Sequence, residues 1–86
     1  MMSVEQRAAL DAINHGLVMW ATSDEARVSG YIAPVGVDQR SMTAAIIAGF
    51  GSVDESVLIE GVGRNGWRVH PVVPGPGLEA ALRSVS

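Results

Sequence analysis

Serine, histidine and aspartate are the residue types from which a nucleophile, its base and an orienting carboxylate are built. Ser29, Ser41 or Ser56 with His70 and Asp38 or Asp54 supply all three here. Their spacing lends no support to such a triad. None of the serines sits in the G-x-S-x-G turn that holds a nucleophile above a sheet. Gly61-Val62-Gly63-Arg64-Asn65-Gly66 has the form G-x-G-x-x-G, but a dinucleotide loop needs its last glycine to open a helix, and Trp67 instead begins an extended run. The glycines therefore read as turn residues, and no cofactor is expected. His15 and His70 are the only histidines and there is no cysteine, so neither a metal centre nor a disulfide is expected.

A second kind of chemistry is offered by Arg64, Trp67 and Arg68. Around a hairpin tip, two guanidinium groups and an aromatic ring can touch phosphate and stack on bases. Nucleic-acid binding through that tip is the alternative function. It is disfavoured by a formal net charge of −3 and by a second helix whose only basic residue is Arg40. A small-ligand site or weak enzyme around Arg68 and His70 is the remaining alternative.

The elements that position these residues follow from capping and periodicity. Ser3-Val4-Glu5-Gln6 is a capping box, and His15-Gly16 is a stop signal, which together predict a first helix over Val4–Asn14. Leu17 to Thr22 has two competing readings. Leu10, Ile13, Leu17 and Trp20 continue a helical stripe, whereas Gly16 and the polar Ser23-Asp24-Glu25 cluster favour a strand and hairpin loop. The strand is the stronger reading, because glycine costs a continuing helix about 1 kcal/mol. From Arg27 to Ala33 the chain alternates, with Val28, Gly30 and Ile32 on one side and Ser29 and Tyr31 on the other, and Pro34 ends it.

Asp38 or Ser41 caps a second helix with Met42, Ala45, Ile46, Gly49 and Phe50 on one face and Gly51 as its stop. Asn65-Gly66 then has the composition of a type I′ turn, predicting a hairpin of strands Val57–Arg64 and Trp67–Val73. In that register Leu58 pairs with Val73 and Val62 with Val69. The opposite face sets Gly63 beside Arg68, Gly61 beside His70, and Ile59 beside Val72. Pro71 lacks an amide donor and suits a sheet edge or a position turned away from a neighbour. After Pro74-Gly75-Pro76-Gly77, the spacing of Leu78, Ala81, Leu82 and Val85 predicts a short C-terminal helix.

The expected fold class is α+β, in the order α-ββ-α-ββ-α, with a mainly antiparallel four-stranded sheet packed against helices as a two-layer sandwich. Its 86 residues make one small domain. This order resembles that of roadblock-type modules and of small secretion chaperones, and the resemblance implies dimerisation through sheet edges or helices. It rests on element order alone, and the closing strand of the roadblock pattern has no counterpart after Pro76.

Hydrophobic residues make up 48% of the chain and charged residues only 17%. That surplus exceeds what one small core can cover, and no disulfide or metal is available to supplement the core. Association with a protein partner or with a second copy is therefore expected, a homodimer being the simplest form. The expected interaction surface is the glycine strip with its polar neighbours: Ile59, Gly61, Gly63, Arg68 and His70. No stretch is long and apolar enough to span a membrane, and Glu5, Arg7 and Asp11 break up any leader-like run, so a cytoplasmic protein is expected.

Overall fold

The capping box at Ser3 starts the first helix as its sequence demands. In the computed structural model, which describes residues 2–59 and 66–83, Gln6 N–H donates to Ser3 Oγ and Ser3 N–H donates to Gln6 Oε1. Helix α1 then runs Val4–Asn14. It ends where glycine permits: Gly16 has φ +70°, its amide donates to Ile13 O, and Leu17 N–H donates to Ala12 O. This paired closure satisfies the last carbonyls of the helix and turns the chain away. The competition over residues 17 to 22 is thereby settled for a strand, β1, Met19–Ser23.

A short loop leads into β2, Val28–Ile32. Helix α2 spans Gln39–Ile47, capped by Asp38, whose carboxylate accepts from Ser41 N–H. Hydrogen bonds from Ser41 hold the Asp38 carboxyl below its ordinary pKa. The α2 stop is Gly49 rather than Gly51. Gly49 has φ +88°, with Gly49 N–H to Ile46 O and Phe50 N–H to Ala45 O repeating the closure of α1.

Gly51 instead opens β3, Gly51–Val53. The last strand, β4, covers Trp67–Pro74, and α3 covers Leu78–Arg83. The α+β fold class is therefore as expected, with strand order β2-β1-β4-β3 and every pairing antiparallel.

The third strand is where expectation and structure part. Residues 57 to 59 lie outside regular strand, and positions 60 to 64 of the expected strand fall outside the described residues. Val72 and Val73 pair with Val53 and Ser52, not with Ile59 and Leu58. Two local causes are visible. Asp54 accepts from the Ser56 N–H and hydroxyl and bends the chain directly after β3. Pro71 is the second cause. Its carbonyl accepts from Asp54 N–H but it has no amide to return, so the β3 ladder ends there although β4 is an interior strand.

Alternation along the strands divides the sheet into two faces. Trp20, Tyr31, Val53 and Val72 lie on the face that packs with Leu10 and Ile13 of α1, Met42 of α2 and Leu78 of α3. Trp20 and Tyr31 are cross-strand partners with ring centroids 4.7 Å apart. Burial of the Tyr31 ring raises its hydroxyl pKa.

Gly66 at the start of β4 has φ +81°, the positive φ its turn requires, and a Cβ there would stand 3.1 Å from Glu25 Oε2. Its turn partner Asn65 lies outside the described residues. Gly66→Val is expected to destabilise the fold by about 1 to 3 kcal/mol. Chemical denaturation checks it against Arg68→Ala, an exposed position that should move stability by about 0.5 kcal/mol at most. Equal midpoints for the two variants would refute the turn assignment.

Candidate interaction surface

Arg68, His70 and Ile59 come together at one end of β4. By strand alternation Arg68 and His70 share the face of Val72 and Trp20, opposite Thr22 and Trp20 of β1. Arg68 is exposed and its Nη2 donates to Asp24 Oδ2 at 2.9 Å, tying β4 to the β1–β2 loop. His70 is half-buried, with Nδ1 placed 2.7 Å from the Val57 carbonyl so that a proton there donates to it. Ile59 N–H donates to Val69 O. Gly61, Gly63 and Arg64 lie outside the described residues.

Several of the candidate chemical groups are engaged locally. Ser56 donates its hydroxyl to Asp54, Asp38 caps α2, and no hydrogen bond among the described residues joins His70 to a serine or an aspartate. Trp67 points to the opposite face from Arg68, so ring and guanidinium form no common platform. Among the described residues no three His, Cys, Asp or Glu side chains group closely enough to hold a metal ion. No helix among them is long and apolar enough to cross a membrane.

The face turned away from the helices shows a different surface. Met19, Ala21 and Ser23 of β1, Val28, Gly30 and Ile32 of β2, Trp67, Val69, Pro71 and Val73 of β4, and Ser52 of β3 lie on it. None of these carries a charge, and none belongs to the cluster packed by the helices. Its centre is already covered, with Ala21, Ser23 and Val69 buried, and the open part is the β2 rim, where Val28 and Ile32 are 53% and 41% exposed.

The alternation of β2 was plain in the sequence, but its apolar set is the open one, and the packed set is that of Tyr31. A possible sequence signal lay in Tyr31 opposite Trp20, a pairing visible only once the β1–β2 register is known.

Together these features define a small α+β domain with a fully antiparallel sheet, helices packed on one face and an uncharged opposite face. Comparison of the chain with family models, curated proteins and solved structures returns no match, so its function is read from its own geometry.

Proposed function

We propose that the chain is a non-enzymatic interaction module that acts as a homodimer or as a partner-binding adaptor, using the exposed β2 rim of the uncharged sheet face. The observation that carries this reading is the exposed pair Val28 and Ile32 at the rim of a face to which the described strands contribute no charged side chain. Covering such a face strands no buried charge, and a second copy brings the same uncharged surface to the contact. Arg68 and His70, on the other side of the sheet, support with Ile59 a separate, polar contact. A cytoplasmic location accompanies this proposal, supported by the absence of cysteine.

Light scattering at high micromolar concentration tests the reading. The expected mass is that of two chains, and Val28→Glu or Ile32→Glu should return it to that of one, because either change places a charge in the contact. A dimer untouched by both substitutions would place the interface elsewhere. A monomeric wild-type chain would remove self-association and leave only a different partner.

A further inference from the structure

The outer edge of the sheet is β2, and one of its residues is already taken. Val72 N–H donates to Val18 O, so by alternation Trp20 also bonds toward β4, which leaves Trp20 and Tyr31 a pair without mutual hydrogen bonds and turns the Tyr31 N–H and carbonyl outward. Gln39, the first residue of α2, meets both. Tyr31 N–H donates to Gln39 Oε1 at 2.8 Å, and Gln39 Nε2 donates to Tyr31 O at 2.6 Å. One carboxamide thus makes the same two-bond exchange that a residue of an added antiparallel strand would make. It also stands close against the strand, with Oε1 3.3 Å from where a Cβ on Gly30 would be.

We propose that Gln39 is a latch that keeps the β2 edge closed to strand addition, and that the strand it holds off is β2 of a second copy. The occupant follows from the edge itself. Ser29 and Tyr31 are the outward-turned residues of β2, so two copies running antiparallel can exchange hydrogen bonds between Ser29 of one and Tyr31 of the other. That register sets Gly30 opposite Gly30 and Val28 opposite Ile32 twice over, on the uncharged face. It places Arg27 opposite Ala33, so no like charges meet. Gln39 blocks this pairing at Tyr31, the residue on which it depends. An edge blocked in this way is protected against unplanned pairing, as edges otherwise guarded by charge or proline are.

The latch rests on the β1–β2 register and not on the proposed dimer face, and its readout is a difference between variant and wild type whatever the wild-type mass. Sedimentation velocity over a concentration series is run on wild type, Gln39→Ala, and Gln39→Ala with Ser29→Pro. Gln39→Ala should associate with a dissociation constant lower by about tenfold or more. The added proline, which removes an outward amide from the edge, should return the wild-type behaviour. Identical concentration dependence for wild type and Gln39→Ala overturns the proposal, as does association above the wild-type level that survives Ser29→Pro.

Amide exchange on the wild-type chain decides the matter independently of how the variants fold. The Tyr31 amide should exchange at least about tenfold more slowly than the Ser29 amide, which faces outward on the same strand without the carboxamide. Equal rates at the two positions overturn the latch.

Discussion

Gly75→Ala is expected to lower stability by about 3 kcal/mol or more, a large share of the margin of a small domain. A Cβ at position 75 would stand 2.1 Å from the Gly49 carbonyl oxygen and 3.0 Å from the carbonyl carbon of Phe50. Those atoms are backbone and cannot swing aside as a side chain does. They also belong to the turn that closes α2, where Gly49 holds φ +88°, and Gly75 N–H donates to Phe50 O at 3.0 Å. Relieving the overlap means parting the end of β4 from the end of α2, and Leu78, buried in the core three residues later, moves with it. Gly77→Ala is the control, because its Cβ would reach only the Phe50 ring at 3.6 Å, an ordinary contact. Urea denaturation of both variants reads the difference. A Gly75→Ala midpoint equal to that of Gly77→Ala would show that the backbones do not approach this closely.

Ile13→Ala should cost about 2 to 5 kcal/mol by leaving a cavity among helices and sheet. Ile13 is fully buried in α1, and its methyl groups stand 3.1 and 3.2 Å from where a Cβ on Gly51 would lie. That proximity has a second consequence. Gly51→Ala by itself forces both Ile13 and Ile46 to give way, whereas in the Ile13→Ala background only Ile46 must yield, into the space that Ile13 vacated. The two changes together should therefore destabilise less than their separate costs added, with a coupling of about 0.5 to 3 kcal/mol. Thermal or chemical unfolding of the four proteins of this cycle measures it. Strict additivity would mean that residues 13 and 51 are not in contact.

The β4 region shows why part of the fold was legible and part was not. Periodicity placed the strand that follows Gly66, and the glycine has the positive φ expected of it, whereas the strand expected before it is not found at residues 57 to 59. Which residues face β4 was decided by Pro71 and Asp54 together. A missing amide at one position and a carboxylate bonding its own loop at the other shortened β3 to Gly51–Val53. Neither residue reveals this alone, since proline signals only an absent donor and aspartate only a residue able to bond its own backbone. The candidate surface was limited in the same way. Arg68 and His70 stood out as polar residues on a strand, but their partners Asp24 and Val57 are distant in sequence or on another segment.

Local signals determined what depends on neighbouring residues. Ser3 with Gln6, Gly16 after His15, and Asp38 before Gln39 each satisfy backbone groups within a few positions, so they place helix starts and the end of α1 without reference to the rest of the chain. The alternation of Val28 to Ile32 likewise follows from strand geometry. Only the tertiary structure decided which half of that alternation is covered, because a period of two separates two faces but does not say where the helices lie. Trp20 and Tyr31 turn their rings into the packed layer and leave Val28 and Ile32 outside. The bond from Gln39 back to Tyr31 is of the same kind. It spans eight residues and exists because α2 returns its first turn to the open edge of β2.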